Sequence, residues 1–200
     1  CEDPDCKGTL VCREPKKNKL DLFVMSMCPY GTKALDAVDK VLEVFGKNID
    51  LDIYYIGNEK NGKLTSMKGQ AEVDENIRQL CAMKYYPKNH KYMEYITCRN
   101  KNIRSSKWKS CAKDGIKPEV IEKCSTGEEG KKLFAESLKV PQKLGFGASP
   151  TWLANNKHKF SGIDASRVQQ MFCRYNPENP GCEKKIEKDK KARKVKGSCG

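Results

Sequence analysis

Residues 19–27, KLDLFVMSM, run into Cys28-Pro29-Tyr30-Gly31, and the reading of this stretch decides the fold. The first nine residues are apolar enough for a buried strand. Pro29 suits the first position of a helix, where its missing N–H leaves nothing unpaired. Beyond it, Leu35, Val38, Val41, Leu42 and Phe45 recur on one helical face, and Gly46 is the stop signal. Residues 49–57, IDLDIYYIG, then alternate, with Ile49, Leu51, Ile53 and Tyr55 on one face. The order strand–helix–strand implies a parallel pair joined by a right-handed crossover.

Working outward, residues 62–127 change character. Helical patterns run through Val73, Ile77 and Leu80, through Tyr92, Tyr95 and Ile96, around Trp108 and Cys111, and from Pro118 through Val120 and Ile121. Such short helices have little core of their own, and Cys81, Cys98, Cys111 and Cys124 offer disulfide support. A longer helix is expected from Glu128 to about Leu144, interrupted or kinked at Pro141. Two short strands, Thr151 to Ala154 and Lys157 to Phe160, flank an Asn155-Asn156 turn. Asp164 is a good N-cap for a last helix, with Ile163 stapling onto Val168 and Cys173 just beyond its end. The organisation is therefore a Cys-rich lead-in (1–18), a strand–helix–strand unit (19–61), a helical insertion (62–127), a helix–hairpin–helix unit (128–173) and a Cys-containing, Lys-rich tail (174–200).

Eleven cysteines in 200 residues argue for an oxidising compartment, because cytosolic thiols stay reduced. Periplasm, cell envelope or secretion is the expectation. Zinc is the rival explanation, but the chain has no Cys-x-x-Cys pair, and His90 and His158 lie far apart; no metal and no other cofactor are expected. The net charge is +13, part of it in Glu183 to Lys196, EKKIEKDKKARKVK. That tail reads as solvated, with attraction to an anionic surface as the other reading. The basic run has no aromatic interleaving and no recognition motif, so no nucleic acid is expected. No apolar run reaches the length needed for a transmembrane segment. Cys1 reads either as the lipidated end of a lipoprotein or as the start of a domain cut from a longer chain.

From roughly Lys19 to Phe172, the order of elements resembles the thioredoxin superfamily, carried by VMSMCPYG after the first strand and GASPTWLANNKHKFSG before the last helix. The insertion, with Cys98, Trp108-x-x-Cys111 and Cys124 followed by Gly130-x-x-Leu133, is similar to that of the gamma-interferon-inducible lysosomal thiol reductase family and of DsbA-like proteins. The resemblance implies an α/β thioredoxin-like fold with a helical, disulfide-braced insertion. It implies that Pro150, after Ser149, is a cis-proline facing the active-site cysteine. That cysteine is Cys28, the expected nucleophile, its thiolate favoured by the helix start and by Lys33. Tyr30 lines a substrate groove or merely packs. The family's redox motif has a second cysteine where this chain has Gly31. Cys28 is then a single thiol, resolved by glutathione, a partner protein or another cysteine of the chain.

The four insertion cysteines allow three connectivities. Cys81–Cys98 and Cys111–Cys124 are favoured as sequence neighbours, and Cys173–Cys182 closes the C-terminal loop. The lead-in and the tail each keep an odd cysteine, which a bridge between the two ends would satisfy, and Cys28 is the choice for the unpaired thiol. The expected function is thiol–disulfide exchange with protein or peptide thiols, in which Pro150 and the neighbouring backbone hold an extended substrate. The alternative is a redox-inactive binding or structural module on the same fold.

Overall fold

A computed structural model describes residues 13–187. Most of the Cys-rich lead-in, Cys1 with its lipidation reading, any bridge between the two ends, and the Lys-rich tail from residue 188 lie outside the described residues.

The central sheet contains β1 (Lys19–Val24), β2 (Asp50–Tyr55), β5 (Thr151–Ala154) and β6 (His158–Phe160), in the order β2-β1-β5-β6. The pair β1–β2 is parallel, with Lys19 opposite Asp50 and Val24 opposite Tyr55; β5 and β6 run antiparallel. The crossover helix α1 (Pro29–Phe45) connects β1 to β2. Strand alternation divides the core. Leu20, Leu22 and Val24 join the main core with Leu35, Val38 and Phe172. Phe23 and Met25 join a second cluster with Cys28, Ile56, Leu144 and Leu153. Phe45 of α1 meets Phe172 of α6 (Ala165–Tyr175) edge to face, with ring centres 5.0 Å apart.

Between β2 and the insertion helices stands a small hairpin absent from the sequence reading, β3 (Asn58–Lys60) paired with β4 (Lys63–Thr65). Asn61 and Gly62 form its turn with φ of 52° and 74°. Asn-Gly is the pair such a turn favours, since both residues tolerate positive φ. The insertion then folds as α2 (Gln70–Tyr85), α3 (Tyr92–Lys101), a 3-10 turn at Trp108–Cys111, and α4 (Pro118–Thr126). Val73, Ile77, Tyr95, Ile96 and Ile121 are buried in the main core rather than in a core of their own.

The helix α5 (Glu128–Lys143) runs through Pro141 instead of stopping there. In the last turn, Pro141 forfeits one hydrogen bond at a place where the helix is ending anyway. Asp164 caps α6 by accepting from the N–H groups of Ser166 and Arg167.

The disulfides correct the sequence reading. Cys81 pairs with Cys124 and Cys98 with Cys111, not Cys81 with Cys98 and Cys111 with Cys124. Sequence proximity misled because α2 packs directly on α4, which brings together cysteines 43 residues apart. Cys173 pairs with Cys182 across 9 residues, and Cys173 lies inside α6 rather than beyond it.

Candidate functional site

Cys28 is the N-cap of α1. Its backbone is extended, at φ −74° and ψ 127°, and its Sγ accepts from the Gly31 N–H at 3.2 Å. A helix start offers unpaired N–H groups and partial positive charge, and both favour a thiolate over a thiol. The Ser149–Pro150 peptide is cis. It brings the Ser149 carbonyl oxygen to 3.5 Å from Cys28 Sγ, and the Ser149 hydroxyl accepts from the Met25 N–H at 2.9 Å. Cys28 and Ser149–Pro150 thus meet across the end of the sheet, although 121 residues separate Cys28 from Ser149.

Two observations qualify the expected thiol. Cys28 is 0% exposed. It is also disulfide-bonded, so it is not the chain's unpaired cysteine. The other six described cysteines pair with one another, so none of them holds the second sulfur. Counting cysteines missed this because parity alone does not say which one is left over.

Gly31 is packed as a glycine. A Cβ placed there would stand 2.5 Å from the Met25 carbonyl oxygen and 2.7 Å from Ser149 Oγ, closer than real Cβ atoms come. The segment before Cys28 and the segment before Pro150 have closed over the position where a dithiol motif carries its second cysteine.

Tyr30 is half-buried against the second apolar cluster, alongside Tyr54, Val140 and Phe146. Burial pushes the Tyr54 phenol up to about 12, with Asp52 adding to the effect. Lys33 acts on Asp36 one turn on. There burial raises the carboxyl, while the Asn100 hydrogen bond and the Lys33 charge draw it back.

The sequence reading passed over a polar stripe on α2. Glu72, Glu75, Asn76 and Gln79 are all 0% exposed. Their i, i+3, i+4, i+7 spacing was the available signal, since a helix shows that stripe on one face. Glu75 accepts from Arg99 Nε at 3.1 Å, and Gln79 accepts from the Tyr55 hydroxyl. Glu72 Oε1 accepts from the Met27 N–H at 2.8 Å, and Asn76 Oδ1 from the Ser26 N–H at 3.3 Å, both just ahead of Cys28.

Residues 19–115 match the family described as gamma interferon inducible lysosomal thiol reductase (GILT). The chain has a thioredoxin-like fold and is similar in sequence to these thiol reductases over that stretch. A gamma-interferon-responsive lysosomal thiol protein of Arabidopsis thaliana is 27% identical over 132 residues, 62% of this chain and 55% of that protein. The chain thus spans about half the length of the curated relative it matches. Among solved structures, this thioredoxin-fold protein is similar to oxidised BdbD from Bacillus subtilis, with TM-score 0.59, 13% identity, and coverage of 84% of this chain and 98% of that one. It is also similar to reduced DsbA1 from Neisseria meningitidis, with TM-score 0.57, 9% identity, and coverage of 87% and 90%. At these identities the structural likeness concerns the fold. The thiol reductase likeness rests on the sequence match, which spans Cys28 and most of the insertion.

Proposed function

We propose that the protein exchanges disulfides with protein or peptide thiols through Cys28, in an oxidising compartment outside the cytoplasm. The observation that carries this reading is the Cys28 sulfur at the start of α1, accepting from Gly31 N–H beside the Ser149–Pro150 peptide. A substrate thiolate attacks the other sulfur of the Cys28 disulfide. A bond forms between those two sulfurs, the bond to Cys28 breaks, and Cys28 leaves as a thiolate. The Gly31 N–H and the helix start stabilise that leaving group, and a better-stabilised thiolate leaves faster. Full burial suits Cys28 to leaving rather than to being attacked. In the reverse direction the Cys28 thiolate attacks that same sulfur in the mixed disulfide, re-forms its own bond to it and expels the substrate thiolate. The second sulfur comes from outside the Cys28–Gly31 turn, so the turn itself contributes a single thiol. The backbone beside Pro150 holds the substrate as an extended strand. The three disulfides paired among the described residues fit the compartment.

A second reading, a redox-inactive binding module, is favoured by the 0% exposure of Cys28 and the tight packing at Gly31. Insulin turbidity driven by dithiothreitol separates the two. Native protein should accelerate precipitation and Cys28→Ser should not. Equal rates would leave the binding module.

A further inference from the structure

Glu72 is a buried carboxylate that the exchange reaction does not use. Its two oxygens accept from three donors on two separate segments: Oε1 from Met27 N–H at 2.8 Å, and Oε2 from the Ser66 hydroxyl at 2.7 Å and Lys68 N–H at 3.1 Å. One turn further along α2, Asn76 Oδ1 takes the Ser26 N–H. The two residues ahead of Cys28 are therefore hung from the insertion through their backbone amides. Packing alone does not call for this. Burying a carboxylate is costly, and nearby Ser26 Oγ and Asn76 Nδ2 are buried with no hydrogen-bond partner among the described residues. A polar cluster kept at that cost, on the segment that presents the sulfur, serves the site.

We propose that Glu72 is the positioning residue of Cys28, with Asn76 as its helper: the carboxylate holds residues 26–27 so that the sulfur stays on the helix start when the disulfide opens. This rests on Cys28 being the exchanging sulfur, as proposed above, but its test reads the Cys28 disulfide equilibrium and not turnover. A loosened segment lets the reduced sulfur drift from the Gly31 N–H, which stabilises the thiolate, so the disulfide becomes harder to reduce.

The experiment equilibrates native protein, Glu72→Ala, Glu72→Gln and Asn76→Ala in graded dithiothreitol buffers. After acid quenching, unfolding and alkylation, mass spectrometry counts reduced Cys28 and, as the internal control, reduced Cys173 and Cys182. Hydrogen exchange of the Ser26 and Met27 amides is read in parallel. In Glu72→Ala, Cys28 should become harder to reduce by about threefold or more, while the Cys173–Cys182 bond stays put and Met27 loses about tenfold in protection. Glu72→Gln keeps an acceptor for Met27 N–H and should return both to native values. Asn76→Ala should free Ser26 N–H and move Cys28 in the same direction by less, and it reads the brace if Glu72→Ala fails to fold. An unmoved Cys28 equilibrium in Glu72→Ala and Asn76→Ala, or equal shifts at Cys28 and the control bond, would overturn the proposal. If native protein lacks turnover in the insulin assay, the exchange function fails and the brace remains measurable.

Discussion

At the scale of single residues, Gly31 decides more than the residue it replaces. Reading the motif alone suggests that one substitution separates this chain from a dithiol enzyme. The geometry says otherwise, because the space a side chain would need is taken by the Met25 carbonyl and the Ser149 hydroxyl, which are themselves linked through Met25 N–H. Gly31→Ala should therefore lower stability by about 1–3 kcal/mol through overpacking, read from the midpoint of urea unfolding. Gly31→Cys should carry a similar cost and should not raise the insulin rate above native. A tolerated Gly31→Cys with faster turnover would show that the site opens more readily than its packing implies. Cys28 itself is sharpened by the same reasoning. Its place at the helix start stands, but the expected unpaired thiol is a covered sulfur already in a disulfide.

Among the elements, α1 carries a local electrostatic fault beside its well-formed apolar face. Burial raises the Asp39 carboxyl above its ordinary value, and the charges of Glu43, Asp36 and Glu94 raise it further. A raised folded-state value means that Asp39's contribution to stability is present below the ordinary carboxylate range and lost as pH climbs through the folded value. Asp39→Asn should thus raise the thermal midpoint at neutral pH, and the gain should close as the pH falls toward 4; a gain equal at both pH values would point to a non-electrostatic cause. The disulfides rank by loop length in the chain-entropy view. Losing Cys81–Cys124, which closes 43 residues, should cost about 4 kcal/mol. Losing Cys173–Cys182, which closes 9, should cost about 2.5 kcal/mol. Denaturant titration of the paired alanine variants checks the order. These elements also show what the sequence makes legible. One-sided apolar patterns located α1 and β2, while β1, buried on both faces, was legible as an apolar run and the last hairpin by its Asn155-Asn156 turn. None of these signals located the pairing of Cys81 with Cys124, which depends on how α2 meets α4. The buried stripe on α2 was likewise hidden, since Glu72, Glu75, Asn76 and Gln79 look like a solvated face until their partners from other segments are in place.

Across the whole molecule, the question is whether the insertion is an appendage or part of one folding unit. Its apolar residues enter the same core as the sheet and α1, and polar bonds cross the seam at several points. Asn100 on α3 donates to the Thr32 carbonyl at 3.1 Å and to Asp36 at 2.8 Å on α1; the Tyr55 hydroxyl at the end of β2 reaches Gln79; Glu72 holds Met27. An insertion that shares its core cannot unfold without exposing the sheet's own apolar face, so the two should melt together. The chain supplies a reporter on each side of the seam, because its two tryptophans fall one in the insertion and one in the sheet. Trp108 is half-buried with Arg78 over its ring at 5.5 Å, and Trp152 is fully buried with its indole N–H donating to the Gly162 carbonyl at 2.9 Å. In Trp108→Phe the fluorescence reports the sheet, and in Trp152→Phe it reports the insertion. Within each variant, the urea midpoint by fluorescence should coincide with the midpoint by far-ultraviolet ellipticity, with disulfides intact. In Trp152→Phe, a fluorescence midpoint well below the ellipticity midpoint would mean that the insertion opens first. The brace from Glu72 to Met27 would then let go before the sheet does, and Cys28 would be released by local rather than global unfolding.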